Sequence, residues 1–304
     1  MKLHWVYDKD IPVMVKTFLR EKGISKRLLA QIKQAGTIKV NGIEQIVLVY
    51  LQNGDQIDVV IPDEGEHETT KESHIPIEVL FEDEFFLVVN KPSGTASIPS
   101  KLHPDLSMAN RVKGYYARQG YANRIPHVVT RLDRDTSGIM LFAKHRLSHA
   151  WMDQQLRKKQ IKKYYTAIIQ ALSPLEEHGM IDYPIGRDGD SIITRTVTED
   201  GKPSLTEYWV QQSFEQDQVV KILLHTGRTH QIRVHFSHIG APLIGDDLYG
   251  GPIQDPLFRQ ALHCKELEFV HPMTNQTLSI VAPMPNDMQQ WINQKLSTTP
   301  KEEV

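Results

Sequence analysis

At the start of the chain, the spacing of apolar positions predicts two short helices followed by small strands. Between residues 12 and 35, apolar side chains recur at helical spacing, with a break at Gly23. Ser25 is suited to N-cap the second helix. Residues 37–42 form a strand that ends in an Asn-Gly turn, and a further strand pair brackets residues 53–55. Together these elements predict a unit of about sixty residues, which is small but able to fold.

An acidic stretch interrupts the hydrophobic pattern after this unit. Residues 62–74 are polar and contain almost no apolar side chains, a composition typical of linkers. We therefore predict four parts: a helix-helix-strand module at residues 1–61, an acidic linker at 62–74, a larger domain at 75–290 and a polar C-terminal tail at 291–304.

Beyond residue 75 the pattern is rich in strands. Runs of β-branched and aromatic residues alternate there with turn-forming residues. The predicted strands cover residues 77–81, 85–89, 139–143, 163–169, 204–211 and 218–225. The predicted helices cover residues 108–116, 145–159, about ten residues between Thr229 and Gly240, and residues 287–295.

The segment from Arg131 to Gly138 separates two apolar runs, Val128–Val129 and Ile139–Ala143. It contains two arginines, two aspartates, two hydroxyl side chains and a glycine in eight positions. A structural turn needs only one or two such residues, whereas arginines beside a carboxylate keep it ionised and in place. The pattern is equally compatible with a surface hairpin that carries a solvated ion pair. The residues alone do not choose between Asp133 and Asp135.

The formal net charge of −2 argues weakly against a nucleic-acid partner, but the charges are strongly segregated. Residues 101–170 carry fourteen Lys or Arg side chains against four Asp or Glu, while residues 61–86 carry one against nine. Concentrated positive charge around residues 131–138 indicates a polyanionic substrate.

Composition argues against several other protein classes. No apolar run approaches the roughly 20 residues that span a bilayer, and the first residues lack the apolar core of a signal peptide. The single cysteine, Cys264, excludes an internal disulfide framework and cysteine-rich zinc sites, and it fits a reducing compartment. We therefore expect a cytoplasmic protein with no membrane partner.

The histidines of the segment from 225 to 235 do not have metal-binding spacing. His225, His230 and His235 are five residues apart, which directs them to different faces of either a helix or a strand. No His-Glu-x-x-His pattern occurs. We expect no metal site and assign these side chains to capping and packing.

Five basic side chains lie mostly off the apolar face of the N-terminal helices: Lys16, Arg20, Lys26, Arg27 and Lys33. By spacing alone they form an ordinary solvated face. However, residues 23–27, 32–42 and 53–57 resemble the alpha-L RNA-binding motif, a small module found in a small-subunit ribosomal protein and in many RNA-modifying enzymes. The resemblance implies that this basic face contacts RNA phosphates, which position RNA without reading its sequence.

A second basic cluster follows the helix predicted at residues 145–159 and consists of Arg157, Lys158, Lys159 and Lys162. Positive charge at a helix C-terminus is favoured by the helix dipole. The cluster is therefore either an ordinary helix terminus or an RNA contact.

Six motifs, in order between residues 75 and 285, resemble those of the RluA-type pseudouridine synthases, especially the enzymes that act on large-subunit ribosomal RNA. They cover residues 82–94, 131–138, 163–167, 184–188, 226–235 and 245–249. The Arg-Leu-Asp and Gly-Arg-Thr-His-Gln-Ile-Arg motifs are highly specific in combination. The resemblance implies isomerisation of uridine to pseudouridine within RNA, without a metal or cofactor.

The resemblance also implies roles for individual residues. The catalytic aspartate of the family falls on Asp133 rather than Asp135, its active-site tyrosine on Tyr165 and its carboxylate-pairing arginine on Arg233. The residues expected around the target base are Arg131, Thr136 and Ile232. One position departs from the family, because many relatives have a histidine where this chain has Thr130. This puts in doubt an RNA contact of that histidine but not the chemistry of Asp133.

We therefore expect an α+β fold. It combines a small N-terminal helix-helix-strand RNA-binding module with a catalytic domain built on a large mixed, mainly antiparallel β-sheet with flanking helices. The expected partner is RNA, and the N-terminal module favours ribosomal RNA over transfer RNA. A transfer RNA substrate and a non-catalytic role in RNA binding or ribosome assembly are the alternatives. We expect a monomer.

Overall fold

The computed structural model describes residues 1–64, 70–100, 104–189, 191 and 193–298. It confirms the α+β fold: a small N-terminal unit is followed by a larger unit built on a ten-stranded sheet. Within these described ranges, no helix is both long enough and apolar enough to span a bilayer.

The N-terminal unit packs two helices against small strands. Its elements are β1 (Lys2–Val6), β2 (Val13–Met14), α1 (Val15–Glu21), α2 (Lys26–Ala35), β3 (Thr37–Val40), β4 (Ile43–Glu44), β5 (Tyr50–Leu51) and β6 (Gln56–Val60). The main sheet is antiparallel in the order β1-β6-β3-β4, and β2 pairs with β5. Ser25 caps α2 as its sequence position predicts, since its hydroxyl accepts a hydrogen bond from the Leu28 N–H at 3.2 Å. Strand β1 lies outside the predicted elements; it alternates exposed positions with buried Leu3 and Trp5.

The larger unit contains twelve strands and four helices in its described residues. The strands are β7 (Glu78–Glu82), β8 (Phe86–Lys91), β9 (His127–Val128), β10 (Ser137–Ala143), β11 (Lys162–Gln170), β12 (His178–Asp182), β13 (Ile185–Arg187), β14 (Arg195–Val197), β15 (Leu205–Phe214), β16 (Asp217–Leu224), β17 (Leu262–Val270) and β18 (Thr277–Val281). The helices are α3 (Met108–Arg118), α4 (Arg146–Arg157), α5 (Gln231–His238) and α6 (Asn286–Thr298), with a 3₁₀ turn at Asp247–Tyr249.

The large sheet is mixed and mainly antiparallel. Its order is β12-β15-β16-β11-β17-β10-β8-β7, with β18 paired to β17 and β9 paired to β10. Strands β10 and β17 pair in parallel, and the other described pairs of this sheet are antiparallel. The loop that precedes β10 therefore lies within the sheet's span, beside the start of β17 and the end of β8. Strand β10 is buried at all seven positions, which anchors this loop in the core.

The described ends of the acidic segment 62–74 are packed, which differs from the solvated linker that its composition indicates. The Glu64 side chain is only 3% exposed and accepts hydrogen bonds from the Arg146 backbone and guanidinium at 2.6 and 2.8 Å. Ser73 is buried against α3, where a Cβ on Gly114 would lie 2.0 Å from the Ser73 carbonyl oxygen. Residues 65–69 lie outside the described residues.

Helix α6 continues past residue 291, where the polar tail is expected to begin, to Thr298. The physical reason is Trp291, which is 1% exposed and packs edge to face on Phe214 with 5.8 Å between ring centroids. Burial of one large aromatic side chain outweighs the polar character of its neighbours. The expected tail residues 299–304 lie outside the described residues.

The first half of α4 contacts the N-terminal unit through Arg146 and Trp151. The Trp151 indole N–H donates to the Lys22 carbonyl at 2.8 Å, beside Gly23, where a Cβ would lie only 2.9 Å from the indole nitrogen. Arg146 Nη1 donates to Gln31 Oε1 at 3.1 Å. The unit is therefore attached to the same helix that ends in the basic cluster at Arg157.

Candidate active site

Asp133 lies in the loop between β9 and β10, and buried polar side chains form hydrogen bonds to the backbone of this loop. The Lys91 ammonium donates to the Arg134 carbonyl at 2.7 Å. The Ser97 hydroxyl donates to the Leu132 carbonyl at 2.6 Å and accepts from the Leu132 N–H at 3.0 Å. These contacts satisfy backbone groups on both sides of Asp133 and hold the backbone from which its carboxylate extends.

Arg233, on α5, lies between two carboxylates. Its Nε and Nη2 donate to Asp246 in a bidentate pair, each at 2.7 Å, and its Nη1 lies 3.5 Å from Asp133 Oδ2. Burial lowers the pKa of Arg233, but the hydrogen bonds and charge of Asp246, together with Asp133, raise it overall. The family resemblance implies that Arg233 pairs with Asp133, yet its closer partner is Asp246. Because Asp246 holds the guanidinium rigidly, Nη1 is directed at Asp133.

A cavity of about 870 Å³ brings together the catalytic and base-pocket residues that the sequence predicts. Its lining includes Asp133, Tyr165, Arg233, Arg131, Thr136 and Ile232. Arg131 is exposed at the cavity, whereas Ile232 is 4% exposed and Thr136 2%. Thr136 also closes the loop that carries Asp133, called the catalytic loop below, because its N–H donates to the Asp133 carbonyl at 3.2 Å.

Tyr165 forms part of the cavity wall and is 4% exposed. Burial, the neighbouring Cys264 and the charge of Asp133 raise the pKa of Tyr165 well above its usual value. The phenol therefore stays protonated over the physiological pH range and can offer a ring face or a hydroxyl donor, but not a phenolate.

Thr130, the position that departs from the family, has an internal role. It is 4% exposed, and its hydroxyl accepts a hydrogen bond from the Leu141 N–H at 2.9 Å. This contact joins the entry of the catalytic loop to β10.

Three residues that contribute to the site are not among the sequence predictions for it: His230, Asp246 and Tyr249. His230 Nε2 lies 3.8 Å from Asp133 Oδ2, and His230 Nδ1 lies 2.8 Å from the Tyr249 hydroxyl. His230 also has φ +58°, an uncommon conformation for residues other than glycine, in which asparagine, aspartate and histidine are enriched. Tyr249 and Asp246 both belong to the Gly-Asp-Asp-Leu-Tyr motif at 245–249, which was the available signal. The capping assignment is wrong for the His230 side chain: the residue stands at the N-cap of α5 but its ring makes no capping hydrogen bond, and Nε2 faces Asp133 instead.

The basic cluster at 157–162 lies at the rim of the cavity. Leu156 and Lys163, which flank it, both line the cavity. Its four members are exposed: Arg157, Lys158, Lys159 and Lys162. Arg157 pairs with Asp153 at 2.7 Å and Lys162 lies 3.5 Å from Glu268, while Lys158 and Lys159 have no ion pair with the described acidic residues.

The basic face of the N-terminal helices is exposed but does not line the cavity. Its members, Lys16, Arg20, Lys26, Arg27 and Lys33, form no ion pair within the described part of the chain. The structure therefore separates these residues from the reaction site and joins the two regions through α4. Among the described residues, no group of three or more His, Cys, Asp or Glu side chains could hold a metal ion.

Comparisons with known proteins match this architecture. Residues 85–238 match the family model described as RNA pseudouridylate synthase. The RNA pseudouridine synthase YjbO of Bacillus subtilis is 44% identical over 279 residues, which cover 91% of this chain and 98% of that protein. The ribosomal large subunit pseudouridine synthase D of Xanthomonas campestris pv. campestris is 33% identical and is matched over 79% of this chain and 75% of its own length. The solved structure of human RNA pseudouridylate synthase domain containing 1 has a TM-score of 0.56 at 25% identity, covering 76% of this chain and 98% of that one.

Proposed function

The chain belongs to the RNA pseudouridine synthase family, and from this premise we propose that it isomerises specific uridines of large-subunit ribosomal RNA, with Asp133 as the catalytic carboxylate. The activity as a pseudouridine synthase follows from the family. The ribosomal substrate is supported by relatives named for the large subunit, such as the Xanthomonas protein. It is also supported by the exposed basic helices of the proposed RNA-binding module at residues 1–61.

The observation that carries the proposal is the pairing of an accessible carboxylate with a fixed arginine in one cavity. The Asp133 side chain is 28% exposed, and Arg233 Nη1 lies 3.5 Å away. In the reaction, the bond between N1 of uracil and C1′ of the ribose breaks and positive charge develops on the sugar. An ionised carboxylate can stabilise that charge or trap the sugar covalently, as in glycosidases. Arg233 places a positive charge beside this carboxylate in a partly buried site.

The uracil must then turn so that its C5 bonds to C1′. The proton on C5 leaves and N1 gains a proton, so the atoms balance without an oxidant or cofactor. Ile232 and the Tyr165 ring supply apolar surfaces that can hold the detached base. The raised pKa of Tyr165 favours a stacking or donor role over that of a base.

The target uridine must leave its stack to reach this cavity, which costs a few kcal/mol. Phosphate contacts by the exposed side chains at 157–162 and by the N-terminal basic face can offset this cost. We propose that α4 connects both groups of contacts, since its first half contacts the N-terminal unit and Leu156 near its C-terminal end lines the cavity. We further propose that the protein acts as a cytoplasmic monomer.

The alternative substrate is transfer RNA, and a further alternative is a non-catalytic RNA-binding role. Mapping pseudouridines in total RNA from cells with and without the gene separates the substrates. We expect one or more positions of large-subunit ribosomal RNA to lose pseudouridine, and complementation by Asp133→Asn not to restore them. Loss confined to transfer RNA would contradict the ribosomal assignment, while full restoration by Asp133→Asn would contradict the catalytic assignment.

A further inference from the structure

A chain of hydrogen bonds leads from the β13–β14 hairpin to the catalytic loop. The Arg195 backbone N–H donates to the Tyr249 hydroxyl at 3.0 Å. The same hydroxyl lies 2.8 Å from His230 Nδ1, and the opposite ring nitrogen, Nε2, lies 3.8 Å from Asp133 Oδ2. Tyr249 therefore connects a backbone donor in the hairpin to a histidine that faces Asp133.

The direction of this chain selects one tautomer of His230. The Tyr249 oxygen already accepts the Arg195 N–H. Its own proton has one described acceptor, His230 Nδ1. If Nδ1 accepts, the neutral ring carries its proton on Nε2, which points toward Asp133. Burial lowers the pKa of His230, which favours the neutral ring at physiological pH.

Tyr249 is itself held in place. The Ser237 hydroxyl donates to the Tyr249 carbonyl at 2.8 Å, and the Arg233 guanidinium carbon lies 4.8 Å from the Tyr249 ring centroid. The preceding Gly245 has φ +78°, and a Cβ there would lie 2.0 Å from the Arg259 carbonyl oxygen. The segment that positions Arg233 through Asp246 thus also positions His230 through Tyr249.

We propose that His230 is a positioning residue for Asp133, which presents its Nε2–H to the carboxylate, and that Tyr249 imposes the tautomer required for this. The inference rests on the proposed role of Asp133. The separation of 3.8 Å is longer than a hydrogen bond, and catalytic contacts often shorten when substrate binds. The neutral His230 is then a proton donor in the site, so it cannot be the base that removes the proton from C5.

If His230 had a purely structural role, two conservative variants of this residue should rank in the opposite order from the one that our proposal predicts. The amide of asparagine replaces Nδ1 and tolerates the positive φ of this position. The amide of glutamine replaces Nε2 but gains nothing from that backbone conformation. If His230 only caps α5 and contacts Tyr249, His230→Asn should be the better substitute. If Nε2–H orients Asp133, His230→Gln should be the better one.

The test measures turnover as tritium released to water from total RNA that carries tritium at C5 of uridine and comes from cells lacking this protein. We expect His230→Asn to lower kcat tenfold to hundredfold with unchanged KM, as for loss of a hydrogen bond to a charged group. His230→Gln should stay within about threefold of the wild type. The matched controls are His238→Asn and His238→Gln, on the exposed side of the same helix.

Tyr249→Phe provides an independent arm. Without the Tyr249 hydroxyl, the His230 ring can carry its proton on either nitrogen. We therefore expect kcat to fall about tenfold in the wild-type background. A glutamine amide has no tautomers, so the same substitution should have almost no effect in a His230→Gln background.

Each outcome bears on a different statement. Equal effects of Tyr249→Phe in both backgrounds, or rescue by Asn and not Gln, would overturn the inference while Asp133→Asn stays inactive. Turnover by Asp133→Asn would instead overturn the proposed function, and this inference with it.

Discussion

Two carboxylates in this protein are surrounded by basic side chains, yet their environments differ. Glu64 is 3% exposed; it accepts hydrogen bonds from Arg146, and its carboxylate lies within 3.3 Å of ring nitrogens of His127 and His145. Asp133 is 28% exposed, and its nearest basic nitrogens, on Arg233 and His230, are 3.5 and 3.8 Å away. The Glu64 carboxylate is buried and fully surrounded by its partners, whereas the Asp133 carboxylate has basic neighbours but remains accessible to a substrate.

This difference separates a structural ion pair from a reactive one. Burial alone would raise the pKa of Glu64, but the nearby His127 ring, the hydrogen bond from the Arg146 backbone and the charge of His145 lower it to about 2. The contacts of the Glu64 carboxylate therefore stabilise the folded state. In the active site the tight bidentate pair is the one between Arg233 and Asp246, and Asp133 receives only the remaining guanidinium nitrogen. Residue types alone do not distinguish the two arrangements.

The largest expected effect follows from removal of the accessible charge. Asp133→Asn keeps the shape of the side chain but cannot stabilise or trap the sugar. We expect turnover to fall more than about a thousandfold, with RNA affinity and melting temperature nearly unchanged. Tritium release from RNA labelled at uridine C5 measures turnover.

Asp135→Asn is the matched control for this substitution. The Asp135 side chain pairs with the exposed Arg134 and does not line the cavity. It should keep most of the activity. Comparable losses in both variants would mean that the loop, and not the Asp133 carboxylate, is what the substitution damages.

Glu64→Gln tests the contribution of the buried Glu64 carboxylate to the free energy of unfolding. Removal of this charge leaves Arg146 and two histidines without their partner, and we expect a loss of about 3 kcal/mol in the free energy of unfolding. Because the folded-state pKa of about 2 lies below the ordinary value of 4.5, this contribution is present above pH 4.5 and is lost as the pH falls toward 2. The two proteins should therefore differ in stability at neutral pH and converge in acid.

Denaturant titrations at several pH values measure this convergence. Glu84→Gln is a suitable control, because Glu84 is an exposed carboxylate in the same acidic part of the chain. A constant stability difference between wild type and Glu64→Gln from neutral to acidic pH would contradict the assignment.

The contrast also explains which features the sequence could predict. Helical and alternating periodicities are local, and they identified α2, β8, β10 and β11 at close to their observed positions. The motifs placed Asp133, Tyr165 and Arg233 in one site through family resemblance, and all three line the cavity.

The features that the sequence did not predict depend on contacts between residues that are far apart in the chain. Glu64 lies in an acidic run that has linker composition, and nothing near it in sequence indicates that Arg146 will cover it. Helix α6 runs three residues beyond the predicted helix at 287–295, and the packing of Trp291 on Phe214 of β15 is not visible in the local pattern. The role of Tyr249 depends on Arg195 and His230, which approach it only in the fold.

Asp246→Asn weakens the support of Arg233 and should have an intermediate effect. One guanidinium contact to a charged oxygen is lost, although an amide can still accept one hydrogen bond. We expect kcat to fall tenfold to hundredfold, because Arg233 no longer directs Nη1 at Asp133, with a smaller change in KM. Steady-state kinetics check this split, and Asp247→Asn, at an exposed neighbour that does not line the cavity, is the control. An effect on KM alone would contradict a role in orienting the carboxylate.

The smallest effect concerns the rim of the cavity. Lys158 and Lys159 are exposed and form no ion pair with described acidic residues, so phosphate contacts are the proposed role of their charges. Each phosphate contact on single-stranded RNA contributes about 0.7 to the slope of log affinity against log salt. The double variant Lys158→Gln and Lys159→Asn should therefore lower that slope by about 1.4, while turnover at saturating RNA stays unchanged. Asparagine suits position 159 because Lys159 has φ +55°.

The charge-preserving pair Lys158→Arg and Lys159→Arg is the matched control, and it should keep the wild-type slope because phosphate attraction depends on charge more than on side-chain shape. Filter binding across a salt series measures both slopes. If the neutral pair binds RNA with the wild-type salt dependence, this rim does not contact phosphates and the cluster is only a solvated helix terminus favoured by the helix dipole. If the slope falls and kcat is unchanged, the rim contributes binding to RNA while the chemistry belongs to the carboxylate inside the cavity.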